Sequence, residues 1–218
     1  MASEPAAVLL ATRSTHKARE IAAIIGARNR VRVLTLEEAG IPHSPDEDEL
    51  ERFDTFAGNA HAKAMFFARR SGIAVIADDS GLCVDALGGQ PGIRSRRFCG
   101  RDDLHGDALD LANNNALLSR LAGVAAAART AHYACAAAFV QPGRPPATAL
   151  GSVSGFILEA TAGDGGFGYD PLFFLPQLGC TFAQIDTAAK HRYSHRGRAF
   201  RAIAPLLARR AAIASGRG

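Results

Sequence analysis

No apolar run in this chain approaches the roughly 18 residues that a membrane-crossing helix needs, although 48% of its 218 residues are hydrophobic. A soluble protein with no membrane partner is expected. Met1 to Ala7 lack a basic stretch, and the apolar run Ala6 to Ala11 is too short for the core of a secretory leader. Export is therefore unsupported. Cys83, Cys99, Cys135 and Cys180 lie far apart and form no Cys-x-x-Cys pair, which argues against a zinc site or a compact disulfide framework. A reducing cytoplasm is the expected compartment. Internal repeats and linkers are missing too, so residues 1–218 are expected to form a single domain large enough to bury a core. Acids are absent from Thr187 to Gly218, which hold eight Lys/Arg, so the overall charge of +4 conceals a net −4 over the rest. Such a basic end attracts nucleic acid or polyphosphate, or serves as a solvated helix face.

The apolar run Val8 to Ala11 reads as a strand, and Ala18, Ile21, Ile24 and Ile25 share one face of a helix after it. Val31 to Leu34 is a second strand. Glu37 to Asp54 reads as a loop with six acids between Asp46 and Asp54. Thr55 to Arg70 has helical spacing closed by Ser71-Gly72, and Ile73 to Ala77 reads as a buried strand. Leu104 to Leu121 is a further helix. Tyr133 to Val140 and Ala149 to Leu158 pair around Gly143 to Pro146, and the last helix runs from Ser194 to Ala214, bent or interrupted near Pro205. This order is mixed α/β.

Five short segments carry chemistry. Thr12, Arg13, Ser14, Thr15, His16 and Lys17 stand where a strand hands over to a helix, a place whose free N–H groups and dipole favour an anion. Ser and Thr there equally describe a helix cap. Asp78-Asp79-Ser80-Gly81 follows a buried strand, so the two carboxylates suit a hard cation or a general base, or an ordinary Asp-rich turn. Successive strand side chains point to opposite faces, so one aspartate of the two is expected in the site. Gly165 to Pro171 surrounds Phe167, Tyr169 and Asp170 with glycines, which lets backbone approach a ligand and gives a base a flat ring to stack on. Lys190 to Arg196 places Ser194 as a helix cap, with His195 and Arg196 as donors in the first turn. Glu51 and Lys63, twelve residues apart, flank the start of the Thr55 helix.

Taken together and in order, these segments resemble the inosine/xanthosine triphosphate pyrophosphatase family from Val8 to about Leu207. The most specific stretches are Ile76 to Leu82, Asp85 to Ile93 with Ser95, Gly166 to Pro171, and Ser194-His195-Arg196 preceded by Lys190. The resemblance implies an α/β fold in which a mixed central sheet is flanked by helices, with two lobes around a nucleotide-binding cleft. It implies Mg²⁺-dependent hydrolysis of ITP, dITP and XTP between the α and β phosphates, a cytoplasmic homodimer, and no stable nucleic-acid partner. By resemblance, Asp79 is the proton acceptor and a metal ligand, Glu51 the second acidic ligand, and Ser80 a substrate contact. Thr12, Arg13, Ser14, Thr15, His16, Lys17 and Lys63 would hold the triphosphate. Phe167, Gly168, Tyr169, Asp170, Lys190, His195 and Arg196 would hold the nucleoside.

The chain departs from the family's pattern where Thr-Gly-Asn is Thr12-Arg13-Ser14, where a Gly is His16, and where a Glu before Lys190 is Ala189. Glu49 competes with Glu51 for the metal role. Two rival functions are a nucleotide pyrophosphatase of the septum type acting on modified pyrimidines, and a nucleic-acid-binding module built on the basic end. The first lacks the Phe167 and Ser194 motifs, and the second has no use for Asp79 and Glu51.

Overall fold

The computed structural model describes residues 6–26 and 31–214. The amino-terminal residues 1–5 and the end of the basic segment, 215–218, lie outside the described residues. The elements run β1 (Ala6–Leu10), α1 (Thr15–Gly26), β2 (Val31–Leu34), α2 (Phe56–Ser71), β3 (Val75–Val84), α3 (Gly106–Arg120), β4 (Thr130–Val140), β5 (Ala147–Ile157), β6 (Phe173–Leu175), β7 (Cys180–Thr181), α4 (Thr187–Tyr193) and α5 (His195–Ala214). The strands form one mixed sheet in the order β2-β1-β3-β4-β5-β6-β7. β1 runs parallel to β2 and β3, whereas β6 is antiparallel to β5 and β7. The α/β class with a mixed, helix-flanked sheet is thus as expected. None of the described helices is long and apolar enough to cross a membrane.

The chain divides into two compact units, and β3, β4 and β5 each contribute residues to both. The first unit comprises 1–79, 135–151 and 196–218. Its strands are largely apolar, β4 at every position from Cys135 to Val140, because both faces are covered. Val8 and Leu10, Ile76, and Cys135, Ala137 and Phe139 enter one core with Ile21 and Ile25 of α1 and Phe200 and Ile203 of α5. The alternate positions Leu9 and Ala11, Val75 and Ala77, and Ala136 and Ala138 enter another with Ala60, Ala64 and Phe67 of α2. The second unit, 80–134 and 152–195, has its own core, in which Leu82 and Val84 pack with Leu117, Tyr133, Phe173 and Phe182.

Local signals set the helix ends. The Thr55 hydroxyl accepts from Gly58 N at 3.1 Å to cap α2, and Gly72, at φ 70°, closes it in the left-handed conformation that glycine adopts without strain. α5 runs through Pro205, which has no N–H to give the helix ladder.

One expectation is corrected. Asp78 to Gly81 is not a turn at a strand end: β3 continues through it to Val84. The reason is burial on both sides of the tetrapeptide, with Ile76 and Ala77 in the first unit's cores and Leu82 and Val84 in the second's. An extended backbone serves both sets.

Phe200 is fully buried, whereas Leu150 is 72% exposed. Phe200→Ala should therefore lower the free energy of unfolding by about 3–5 kcal/mol, and Leu150→Ala by no more than about 0.5 kcal/mol, as read by urea denaturation.

Candidate active site

The alternation that builds the two cores also separates the two aspartates. Asp78 shares the parity of Ile76 and points toward α1 and α5, while Asp79 shares that of Val75 and Ala77 and points toward α2. Asp78 is wholly buried and forms ion pairs with Lys17 at 3.2 Å and Arg196 at 3.3 Å. The Arg196 guanidinium also pairs with Glu20, so four charges from α1, β3 and α5 compensate one another. Burial alone would raise the Asp78 carboxyl. Lys17, Arg196 and Lys63 outweigh it and hold the group ionised, well below the usual carboxylate range.

Asp79 is treated differently. It is 6% exposed, its Oδ2 accepts from Asn59 Nδ2 at 2.9 Å, and Lys63 Nζ stands 3.5 Å from its Oδ1. Burial pushes its carboxyl above the ordinary range, and the neighbouring Lys63 and Lys17 only partly reverse this. Glu51 adds repulsion. Lys63 responds in the opposite sense: burial favours its neutral form, but Asp79, Glu51 and Asp78 prevail and keep it charged. The pair therefore consists of a secure ammonium and a carboxylate still short of positive charge.

The same lysine distinguishes the two acids of the preceding loop. Lys63 Nζ donates to Glu51 Oε1 at 2.8 Å, whereas Glu49 is paired with Arg52. Asn59 and Lys63 are four residues apart on α2 and so share its face toward Asp79. Asn59, 1% exposed, also accepts from Phe53 N at 2.9 Å through Oδ1, which ties the end of the acidic loop to the Asp79 carboxylate. Sequence reasoning passed over Asn59. Its polar amide on the inward face of an otherwise Ala- and Phe-lined helix was the available signal.

In the first loop, the Thr12 hydroxyl accepts from Ser14 N at 3.2 Å, and the Ser14 hydroxyl accepts from Lys17 N at 3.3 Å, capping α1. Lys17 thereby starts the helix with its ammonium on Asp78. Thr15 is exposed, and His16 half-buried. Arg13 turns away to the acidic loop: Nε and Nη2 donate to the Glu47 carboxylate at 2.9 and 2.7 Å, while Nη1 and Nη2 donate to the Ile41 and Pro42 carbonyls. Its five donors suit this fork. The departure from glycine at position 13 is thus used to fasten one loop to another.

The second unit gathers the remaining candidates, apart from Arg196. Asp170 Oδ2 accepts from Lys190 Nζ at 2.5 Å and from Phe167 N at 2.9 Å, and the Lys190 ammonium lies 4.4 Å from the Phe167 ring centre. Gly166 is required there, because its φ of 75° and the Asp170 carboxylate beside it leave no room for a side chain. Tyr169 is buried and its hydroxyl donates to Ser95 O at 2.8 Å, so it braces the loop. His195 stacks on Tyr133, centres 4.6 Å apart and planes 9° from parallel, and Tyr133 rests against Phe173. Ser80, next to Asp79 in sequence, is half-buried. Among the described residues no cluster of three or more His, Cys, Asp or Glu forms a cage for a metal.

Replacing each aspartate separates their roles. Asp78→Asn removes the anion that faces the half-buried Lys17 and leaves the buried Arg196 with Glu20, and should cost about 3–5 kcal/mol of stability. Asp79→Asn removes a carboxylate that burial already disfavours, so its denaturation midpoint should equal or exceed that of the unaltered protein.

Comparison with known proteins agrees with the motif reading. The model of the Ham1 family matches residues 8–206. A relative named dITP/XTP pyrophosphatase from Geobacillus kaustophilus is 45% identical over 192 residues, covering 88% of this chain and 89% of that protein. Another of the same name from Streptomyces coelicolor is 42% identical over 200 residues, covering 92% and 96%. The solved Ham1 protein of Staphylococcus aureus superposes with a TM-score of 0.77 at 32% identity, covering 92% of this chain and 97% of that one. With its fold, its motifs and nearly its whole length matched, the chain belongs to the Ham1 family.

Proposed function

We propose that this protein hydrolyses deaminated purine nucleoside triphosphates, dITP, ITP and XTP, to the monophosphate and pyrophosphate, with Mg²⁺ as cofactor. The observation that carries the reading is the Lys63 ammonium set between Glu51 and Asp79, at 2.8 and 3.5 Å, on a carboxylate that burial leaves short of positive charge. The names of relatives at 42–45% identity supply the substrate class. Hard oxygen donors suit Mg²⁺, and two carboxylates rather than a complete protein cage suit an ion that shares its coordination with water and phosphate oxygens. Asp79 and Glu51 would hold it. When bound, it neutralises phosphate charge and acidifies water.

The chain's own residues account for the rest. Asn59 fixes Asp79 Oδ2, so that Oδ1, which faces the Lys63 ammonium at 3.5 Å, takes a proton from the attacking water. The water oxygen bonds to the α-phosphorus, the bond to the bridging oxygen breaks, and pyrophosphate leaves. Lys63 and Lys17 and the N–H groups at the start of α1 offset the charge that grows on the phosphates. Phe167 offers its ring to the purine, with Lys190 and His195 as donors toward a 6-keto oxygen. An adenine would present an amino group to those donors and leave them unpaired. Arg196, committed to Asp78 and Glu20, serves by keeping Asp78 and Lys17 in place. For assembly and compartment, the resemblance supports a cytoplasmic homodimer acting on free nucleotides, with no stable nucleic-acid partner.

The test is pyrophosphate release from ITP, XTP, dITP, GTP, ATP and dUTP in parallel, with Mg²⁺ and with a chelator. The first three should exceed ATP by about 10²-fold or more in kcat/KM, as expected when a site's polar groups are left unpaired by the wrong base, and chelation should abolish turnover. Equal rates on ATP and ITP would sink the substrate assignment. Asp79→Asn should lose about 10²-fold or more of kcat, the scale of a removed proton acceptor, while remaining folded by circular dichroism.

A further inference from the structure

The loop that carries Phe167 and Asp170 is gripped by a helix no motif pointed to. Asp110 and Asn114 are four residues apart on α3 and so face the same way. Asp110 Oδ2 accepts from Gly168 N at 2.6 Å, and Asn114 Nδ2 donates to Gly168 O at 3.0 Å. Both backbone polar groups of one glycine are therefore held by side chains of one helix. Asn114 is 5% exposed, so its hydrogen bond is shielded from competing water.

Gly168 needs such a grip. It stands at φ 63° between Phe167 and Tyr169, and a glycine loses more conformational freedom on ordering than any other residue. The neighbouring supports act elsewhere: Asp170 receives Phe167 N, Tyr169 reaches Ser95 O, and Gly165 N donates to Ala183 O. None of these fixes the peptide groups of Gly168. Asn113 beside them makes a parallel pair of contacts, to Cys99 N and Arg96 O, so this face of α3 binds two loops by their backbones.

We propose that Asp110 and Asn114 are positioning residues that hold the Phe167–Asp170 loop in the form that receives the purine, so that affinity for the base depends on α3. This rests on the functional reading above. Ordering the loop beforehand removes an entropic cost from binding. The phosphate chemistry at Asp79 does not involve it, so the clamp governs KM and leaves kcat alone.

The experiment uses the full chain and three variants, Asn114→Asp, Asp110→Ala and Asp110→Asn, each with steady-state kinetics on ITP and hydrogen exchange without nucleotide. Asn114→Asp turns the donor into a carboxylate facing a carbonyl, and should raise KM about tenfold, the scale of one lost buried hydrogen bond, with kcat within about twofold. Exchange should quicken in the peptide spanning 165–170 and stay unchanged in β4. Asp110→Ala should follow it, whereas Asp110→Asn, which keeps an acceptor for Gly168 N, should behave as the unaltered chain. Unchanged exchange at 165–170 in Asn114→Asp would overturn the clamp whatever the kinetics, as would quickened exchange throughout the unit or a fall in kcat at constant KM. If the unaltered chain releases no pyrophosphate from ITP, the substrate assignment fails separately, and the exchange result still decides whether α3 holds the loop.

Discussion

Two adjacent carboxylates inside a buried strand are the constraint on which the first unit depends. Asp78 and Asp79 sit between apolar residues on β3, where an uncompensated charge is very costly. The compensation comes from distant segments: Lys17 from α1, Lys63 from α2 and Arg196 from α5. Electrostatics thus ties the chain's beginning, middle and end to one strand. Hydrophobic burial holds those helices to the sheet, but the ion pairs fix which turn of each helix lies over the aspartates.

The compensation is unequal, and the inequality has chemical content. Asp78 is saturated by Lys17 and Arg196 and is locked in its ionised form, a fixed counter-ion for the lysine that begins α1. Asp79 has Lys63 and an amide, shares the lysine with Glu51, and remains above the ordinary carboxylate range because burial prevails. Two identical residues, adjacent in sequence, are given separate tasks by the strand's alternation. Pairs of carboxylates driven apart in this way are the usual basis of acid and base assignments.

The second unit solves a different problem. Its glycine-rich loop has little intrinsic order, so the fold supplies it from outside through Asp170 to Phe167 N, Tyr169 to Ser95, and the α3 side chains on Gly168. His195 is oriented by the face of Tyr133, which the Phe173 and Phe182 rings support in turn. Placement of aromatic faces and backbone groups dominates here, where charge dominated in the first unit.

The sequence by itself determined what local pattern can carry. The helical spacing of Ala18, Ile21, Ile24 and Ile25, the Thr55 cap and Gly72, and the strands at Val31 and Ala149 all depend on neighbours within a few residues. So does the separation of Asp78 from Asp79, since strand alternation is local once the strand is granted; which of the two serves the site was implied by the family resemblance. The motifs in order were also enough to identify the family. Tertiary structure decided the rest. That β3 runs on through Asp78 to Gly81 follows from core residues on both sides and from cations far away in sequence, and a tetrapeptide rich in Asp and Gly otherwise reads as a turn. Glu51 was preferred to Glu49 on its twelve-residue spacing from Lys63, and folding brings Glu51 onto Lys63 and Glu49 onto Arg52. Arg196 was read as a ligand donor because arginine's fork suits phosphate and carbonyl oxygen, and Arg13 through the resemblance of its loop. The same fork serves Glu47, Glu20 and Asp78 equally well, and only folding brings those acids within reach. Tyr133, Asp110 and Asn114 belong to no motif, and Asn59, inside the segment flanked by Glu51 and Lys63, was given no role, because their work is done on partners 20 to 62 positions away, a separation that sequence periodicity does not carry.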